Sequence, residues 1–164
     1  MLIIVTGLPG TGKTTIADAL SKEIDAIVFS TDKIRKMIFE KPIYDKEDKR
    51  VVYDELFSQA QKYLSIGKNV ILDGTFYTKL LREKAKEVGK PFCEKVYFVY
   101  CETPENILKE RITKRKDKYS DADYNVYLKM KKIFEKFEED VIVVDTSNSV
   151  SDNISIIKKT IYSM

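Results

Sequence analysis

The chain has 164 residues, of which 43% are hydrophobic and 34% are charged, and its formal net charge is +3. This length and composition predict one globular domain with its own core, and no apolar run approaches the roughly 20 residues that a membrane span needs. A charge of +3 is too small to indicate nucleic-acid binding by itself, and the absence of histidine excludes both a histidine base and a histidine metal ligand.

The two cysteines, Cys93 and Cys101, match neither a zinc-site spacing nor a disulfide framework. The apolar residues 1–5 are followed at once by a glycine-rich loop and not by a small-residue cleavage site, which predicts a strand rather than a signal peptide. We therefore expect a cytoplasmic protein without membrane association.

The first predicted strand leads into the most specific motif of the chain, which has the pattern G-x-x-x-x-G-K-T and opens a helical pattern. Glycines let the backbone curl around an anion, and the helix N-terminus adds its dipole and unpaired N–H groups. In such a motif Lys13 reaches the β- and γ-phosphates of a nucleoside triphosphate, and the Thr14 hydroxyl holds Mg²⁺. The predicted phosphate-binding residues are Gly7, Leu8, Pro9, Gly10, Thr11, Gly12, Lys13 and Thr14.

Short apolar runs rich in β-branched residues alternate with helical patterns along the whole chain. The runs predict strands over 1–6, 26–30, 68–73, 95–101 and 141–145. The helical patterns cover 13–23, 31–40, 47–66, 78–88, 104–117, 123–139 and 151–162. This alternation predicts an α/β fold, a single domain over 1–164, whose parallel strands are joined by right-handed crossovers.

Asp32 and Arg35 follow the second predicted strand, at the edge of the sheet where ligands bind in open α/β folds. Their spacing places both side chains over one face of the next helix. Asp32 has the chemistry to accept a proton from a hydroxyl nucleophile, and Arg35 has the charge to hold an anionic part of the acceptor. The alternative is that Asp32 or Thr31 only caps the helix.

Asp73 ends the third predicted strand, and Gly74 follows it. A carboxylate in this place resembles that of a Walker B motif, which acts on Mg²⁺ directly or through water. Asp73 is also a candidate for orienting the acceptor, and an ordinary turn at the end of the strand is the alternative.

Arg111 and Arg115 lie four residues apart in the helical pattern after the fourth strand. A basic helix of this kind suits a lid over the phosphates, with an arginine that stabilises transition-state charge. A solvated basic face is the alternative. Residues 145–148, after the fifth strand, are candidates for bordering the adenine or for an ordinary turn. Helical spacing favours core packing for the aromatic side chains between Tyr119 and Phe137, with base stacking as the alternative.

Taken together, these motifs resemble the small P-loop kinases of the polynucleotide kinase-like group, whose relatives include adenylylsulfate, gluconate and shikimate kinases and the zeta toxins. The resemblance covers nearly the whole chain. It rests on Gly7–Thr14, on Asp32-Lys33-Ile34-Arg35, on Val70–Phe76, on Glu110–Arg115 and on Ser120–Tyr127.

The resemblance implies a three-layer α/β/α P-loop NTP hydrolase fold with strand order 2-3-1-4-5 and a helical lid over about 111–123. It implies ATP and Mg²⁺ as ligands, with Thr15 at the α-phosphate, Asp32 as general base and either Arg111 or Arg115 as the lid arginine. The remaining implied roles are acceptor binding by Arg35, Thr75 and Arg82, and contact of Asp73 with the metal or the acceptor.

The sequence therefore predicts an ATP-dependent kinase that transfers the γ-phosphoryl group to a hydroxyl acceptor, which is a small metabolite, a nucleoside or a nucleotide. A polynucleotide 5′-hydroxyl is an alternative acceptor, so a nucleic-acid substrate stays open. A nucleotide-dependent ATPase or switch with a protein partner is a further alternative, against which the Asp32–Arg35 pair argues, because a switch needs no acceptor base.

Overall fold

The computed structural model describes residues 1–41, 45–114 and 124–163. Five strands and seven helices alternate along this part of the chain. The strands are β1 (Leu2–Thr6), β2 (Ala26–Ser30), β3 (Asn69–Asp73), β4 (Val96–Glu102) and β5 (Ile142–Asp145). The helices are α1 (Lys13–Ile24), α2 (Thr31–Ile38), α3 (Lys46–Ser65), α4 (Lys79–Gly89), α5 (Glu105–Lys114), α6 (Tyr124–Ile133) and α7 (Val150–Tyr162).

The strands form one parallel sheet in the order β2-β3-β1-β4-β5, which confirms the order that the family resemblance implies. All five residues of β1 are buried, because this strand lies between β3 and β4 and helices cover both faces of the sheet. Its continuous apolar sequence is the pattern expected of a central parallel strand.

Two hydrophobic cores fill the space between the sheet and the helices. Ile4 points into the core formed with α3 and α4, where it joins Leu56 and Phe98. Ile3 points the opposite way, into the core formed with α1 and α7. Successive side chains of β1 thus serve opposite layers, as the two-residue repeat of a strand requires, and the result is a three-layer α/β/α domain.

One predicted helix is shorter than its sequence pattern. The pattern covers 123–139, but α6 ends at Ile133 and the chain continues to Glu139 without helical structure. The backbone N–H of Glu135 donates to the carbonyl of Tyr77 (2.8 Å), outside the helix. The N–H of Phe134 still donates to the carbonyl of Met130 (2.9 Å), so a tertiary hydrogen bond first replaces the helical one at Glu135, even though the aromatic spacing is typical of a helix.

The predicted lid over about 111–123 falls mostly outside the described residues. Residues 111–114 are the last part of α5, whereas Arg115 and the remainder of the predicted lid lie outside the described ranges. Within 1–41, 45–114 and 124–163, no helix combines the length and the apolar character needed to cross a membrane.

Candidate active site

The glycine-rich loop joins the buried end of β1 to the first turn of α1. Gly10 and Gly12 have φ values of +82° and +81°, a conformation that other residues rarely adopt. A Cβ atom on Gly10 would lie 2.6 Å from Cγ1 of Ile112, so α5 packs directly against this loop. The backbone carbonyl of Leu8 accepts hydrogen bonds from the Thr11 hydroxyl (2.7 Å) and from Lys13 Nζ (3.1 Å). The loop therefore has the curled shape that surrounds an anion with backbone N–H groups.

Thr14 and Asp73 meet beside this loop. The Thr14 hydroxyl donates a 2.7 Å hydrogen bond to Oδ2 of Asp73. Asp73 ends β3 opposite Val5 of β1, and the residue is only 3% exposed. Burial raises the pKa of the Asp73 carboxyl to about 6, against the opposing effects of the Lys13 charge and the Thr14 hydrogen bond. The pairing of β1 with β3 thus places an almost fully buried carboxylate at the phosphate-binding loop.

The chemistry of this pair fits Mg²⁺. Hydroxyl and carboxylate oxygens are the ligands that Mg²⁺ prefers, and in nucleotide sites the ion uses one or two carboxylates together with phosphates and water. In the part of the chain that the structure describes, no three acidic or cysteine side chains group together as a metal site. Thr14 and Asp73 would then be the protein's contribution to a cation held mainly by the nucleotide.

Asp32 and Arg35 lie on α2, which begins directly after β2. Arg35 Nη1 is 3.1 Å from Oδ1 of Asp32, and the Asp32 side chain is 39% exposed whereas that of Arg35 is 8% exposed. Ser30 occupies the N-cap position and its hydroxyl accepts from the backbone N–H of Lys33 (3.5 Å). The alternative in which Asp32 or Thr31 caps this helix is therefore wrong.

Register brings Asp32 and Arg35 to the same edge of the sheet as Asp73. Ser30 lies opposite Asp73 across the β2–β3 pairing, and Asp32 follows Ser30 by two residues. The two carboxylates are near enough that the charge of Asp32 contributes to the raised pKa of Asp73. The carboxylates of Asp32 and Asp73 thus lie near each other, beyond the ends of adjacent strands.

Thr75 and Phe76 form the connection between β3 and α4. The carbonyl of Thr75 accepts a 2.6 Å hydrogen bond from the hydroxyl of Thr6, and the N–H of Phe76 donates to the hydroxyl of Tyr53 (3.0 Å). Thr75 thus lies in the connection that follows Asp73, and its role in acceptor binding stays a prediction. Tyr53 was missed in the sequence, because it lies on the apolar face of α3 with residues such as Leu56, where an aromatic residue indicates only packing.

Arg82 does not join the acceptor group, which corrects the sequence-based expectation. Its side chain is fully buried, and its guanidinium donates to the carbonyls of Phe76 (3.0 Å), Glu135 (2.9 Å) and Lys136 (3.1 Å). It also lies 4.2 Å from the ring centroid of Phe137. These contacts keep the guanidinium inside the protein, where it cannot meet an incoming acceptor.

A cavity of about 450 Å³ opens on the other side of the glycine-rich loop. Its lining residues are Gly10, Gly12, Thr15, Ile16, Arg111, Thr146, Asn148, Val150 and Asn153. The loop contributes one wall and the connection between β5 and α7 contributes another. Thr15, Thr146 and Asn148 therefore line a cavity that adjoins the phosphate-binding loop, and their contacts with a nucleotide stay predictions.

Arg111 is fixed to a wall of this cavity. Its guanidinium donates to the hydroxyl of Thr103 (3.2 Å) and to both the hydroxyl (2.9 Å) and the carbonyl (2.7 Å) of Thr146. The hydroxyls of Thr103 and Thr146 are also hydrogen-bonded to each other. Arg111 thus holds the β5–α7 connection against the start of α5. Of the two predicted lid arginines, Arg115 lies outside the described residues.

Asn153, which no sequence motif marks, also lines this cavity. It is fully buried and its amide donates to the carbonyl of Asp145 (2.9 Å). A signal for it does exist, since Asn153 falls on the apolar face of α7, four residues before the buried Ile157, where a polar residue needs an explanation.

The comparisons with known proteins agree with this geometry. A family model described as an AAA domain matches residues 2–137. The chain belongs to this AAA domain family. Among curated relatives of this AAA domain, the L-seryl-tRNA(Sec) kinase of Methanococcus maripaludis is 30% identical over 161 residues, which are 93% of this chain and 62% of the relative. A shikimate kinase of Bacillus cereus is 33% identical over 155 residues, 89% of this chain and 88% of the relative.

Other matched proteins are much longer than this AAA domain. An uncharacterised protein of Mycobacterium tuberculosis is 29% identical over 133 residues, which are 74% of this chain and 27% of that protein. The chain thus spans only about a quarter of the length of this mycobacterial relative and less than two thirds of the archaeal one.

Solved kinase structures share the fold of this AAA domain. A sugar kinase from Janibacter has a TM-score of 0.77 at 19% identity, with 96% of this chain and 92% of that chain covered. The APS kinase CysC of Mycobacterium tuberculosis, solved with AMPPNP and APS, has a TM-score of 0.71 at 14% identity, with 99% and 97% covered. The resemblance to small P-loop kinases is confirmed.

We expect the Mg²⁺-dependent part of nucleotide binding to rise with pH through the titration of Asp73. With a pKa of about 6, roughly one carboxyl in ten is ionised near pH 5 and about nine in ten near pH 7. Protonation would remove the carboxylate proposed to bind Mg²⁺, so the gain in ADP affinity on adding Mg²⁺ should be about tenfold smaller at pH 5 than at pH 7. Calorimetric titration with Mg²⁺ and with EDTA at both pH values measures this gain.

Asp73→Asn is the control, because the phosphates of ADP titrate identically in both proteins while the variant has no carboxyl to ionise. A gain in ADP affinity on adding Mg²⁺ that does not change with pH in the unmodified protein would contradict the prediction.

The Asp73 carboxyl also destabilises the fold as it ionises. Its pKa in the folded protein is above the unfolded value of about 3.9, so its contribution to the free energy of unfolding falls as pH rises from about 4 to about 6.

Proposed function

We propose that the protein is an ATP-dependent kinase that transfers the γ-phosphoryl group to a hydroxyl group of a small metabolite, a nucleoside or a nucleotide. One observation carries the proposal: the Thr14–Asp73 pair at the phosphate-binding loop lies beside the Asp32–Arg35 pair, at adjacent strand ends. A nucleotide site alone needs only the Thr14–Asp73 pair. The Asp32–Arg35 pair adds a base and a positive charge, which are the groups that suit a hydroxyl acceptor.

In the proposed reaction the triphosphate lies along the glycine-rich loop, with the nucleoside in the cavity beside Arg111. Asp32 accepts the proton of the acceptor hydroxyl, whose oxygen forms a bond to the γ-phosphorus while the bond to the β–γ bridging oxygen breaks. ADP and the phosphorylated acceptor leave, and the proton on Asp32 returns to solvent. Lys13 and the N–H groups of the loop stabilise the charge on the transferred group.

Mg²⁺ bound by Thr14 and Asp73 would neutralise part of the phosphate charge. Arg35 holds the Asp32 carboxylate in place, and its charge favours an acceptor that carries an anionic group. The presence of both pairs supports a kinase over a nucleotide-dependent switch, because a switch has no second substrate that requires a base.

A second candidate acceptor is a hydroxyl carried by an RNA. The 30% identity to an L-seryl-tRNA(Sec) kinase over 93% of this chain supports this candidate. The net charge of +3 contributes little to it, since phosphate-rich partners call for a stronger basic surface.

The decisive experiment offers γ-labelled ATP together with separate panels of sugars and other small hydroxyl compounds, nucleosides, nucleotides, oligonucleotides with 5′-hydroxyl ends, and aminoacylated tRNA. Transfer of label to a small-molecule panel is the expected result. Transfer only to a nucleic acid would replace the preferred acceptor with the second candidate. Phosphate release that no panel accelerates would favour the ATPase.

Asp32→Asn should cut phosphoryl transfer by about 10²- to 10⁴-fold, the range of general acid–base effects, because an amide cannot take the proton. ATP affinity should stay the same, since Asp32 lies on the acceptor side of the loop. Asp54→Asn is a matched control: it replaces an exposed carboxylate that pairs with an arginine on α3. Turnover of Asp32→Asn close to that of the unmodified protein would refute the assignment of the base.

Lys13→Ala should weaken ATP binding and abolish transfer, because the ammonium group neutralises the β- and γ-phosphates. Calorimetry gives the affinity directly. Lys22→Ala in the last turn of the same helix removes an equal charge at the opposite end of α1 and should leave the affinity unchanged. Equal affinities for Lys13→Ala and the unmodified protein would contradict a phosphate-binding role for Lys13.

A further inference from the structure

Phe76 has a backbone conformation that a large side chain rarely adopts. Its φ is +46°, in the left-handed region, and its ring is fully buried. In this region Cβ crowds the carbonyl oxygen, so such residues persist only where the surrounding structure holds them, and they cluster at functional sites. Phe76 lies three residues after Asp73, within the connection from β3 to α4.

Two side chains from different helices hold Phe76 in this conformation. Its N–H donates to the hydroxyl of Tyr53 on α3 (3.0 Å), and its carbonyl accepts from Arg82 Nη1 on α4 (3.0 Å). The rings of Tyr53 and Phe76 also meet edge to face at 5.2 Å. Both backbone polar groups of the strained residue are therefore satisfied by side chains, and neither is available to a helix or a strand.

Arg82 extends this clamp to the segment after α6. Its second guanidinium nitrogen donates to the carbonyls of Glu135 and Lys136, and its Nε lies 3.4 Å from a carboxylate oxygen of Glu139. The N–H of Glu135 in turn donates to the carbonyl of Tyr77. One buried cation thus fastens the β3–α4 connection to a neighbouring stretch of backbone.

The clamped segment, Gly74–Tyr77, touches both halves of the site. A Cβ on Gly74 would lie 2.8 Å from Cγ2 of Thr31, so this backbone packs against the start of α2, one residue before Asp32. On its other side, the N–H of Gly74 donates to the carbonyl of Val5 (3.2 Å), and the carbonyl of Thr75 accepts from Thr6. A shift of this segment would change the distance between α2 and the strand that leads into the phosphate-binding loop.

We propose that Tyr53 and Arg82 are positioning residues, which hold Gly74–Tyr77 in its strained shape and thereby fix Asp32 relative to the Thr14–Asp73 pair. Neither touches substrate. Tyr53 acts through the N–H of Phe76 and Arg82 through its carbonyl. The part of this inference that concerns turnover rests on the proposed function, whereas the part that concerns the clamp does not.

Tyr53→Phe tests the clamp by removing one oxygen atom while keeping the ring. Hydrogen–deuterium exchange at Gly74–Tyr77 and at Thr31–Arg35 should speed up by about tenfold, the effect of losing one hydrogen bond of ordinary strength. ADP affinity should stay within about twofold, since the glycine-rich loop is untouched. ADP formation from MgATP in a single turnover, with the acceptor from the labelling panel or with water, should slow by about 10- to 100-fold, because small displacements of reacting groups have large effects on rate.

Tyr63→Phe is the matched control, because it makes the same change on the same helix, ten residues after Tyr53, where the ring packs against Phe29 instead of Phe76. It should leave exchange and turnover as they are. Arg82→Lys keeps the charge but not the fork that reaches three carbonyls, and it should loosen the same two segments. Arg82→Lys removes buried contacts, so if this variant does not fold, Tyr53→Phe alone tests the clamp.

Unchanged exchange at both segments in Tyr53→Phe, or the same acceleration in Tyr63→Phe, would overturn the clamp. Faster exchange with turnover within twofold of the unmodified protein would overturn its role in positioning. A protein that forms no ADP with any acceptor refutes the proposed function instead. In that case the clamp stands if Gly74–Tyr77 and Thr31–Arg35 both exchange faster, and falls if they do not.

Discussion

The geometry of the candidate site depends on the carboxylate of Asp73, which has almost no access to water. Burying an ionised carboxylate is strongly unfavourable unless hydrogen bonds and nearby positive charge offset the loss of hydration. Here the Thr14 hydroxyl and the Lys13 charge supply part of that offset, yet the pKa stays raised at about 6. The protein alone therefore does not fully compensate the negative charge of ionised Asp73. A site with uncompensated negative charge is suited to receive a cation together with a nucleotide.

The strand order decides which groups share this carboxylate. β1 lies between β3 and β4, and the connections from β1 and β3 leave in opposite directions, which opens a crevice beyond the carboxyl ends of the strands. The cavity beside Arg111 lies on the α1 and α7 side of the glycine-rich loop, whereas Asp32 lies on the side of α2 and α3. The loop thus lies between this cavity and the Asp32–Arg35 pair, which are the nucleoside side and the acceptor side of the proposed kinase site.

Features that have a motif or a family pattern in the sequence were predictable, and tertiary contacts without such a pattern were not. The strands, their order and the meeting of Thr14 with Asp73 follow from apolar runs, a glycine motif and the family resemblance. Arg82 shows the limit, because an arginine after a strand end has the same sequence signature whether it faces a ligand or a set of backbone carbonyls. The end of α6 at Ile133 has the same cause, since the partners of the next residues lie more than fifty positions away.

The exposure of the Asp32–Arg35 pair bears on how the acceptor half works. If Arg35 were chiefly a binding group, its guanidinium would face the cleft, yet its side chain is 8% exposed while that of Asp32 is 39% exposed. Asp32 is therefore the more accessible member of the pair, and in the proposed reaction it is the group that an acceptor would meet first. Arg35 would then act mainly through the orientation and charge of Asp32. The proposed site therefore requires the acceptor hydroxyl to lie within reach of Asp32. Other walls of the cleft would then recognise the remainder of the acceptor.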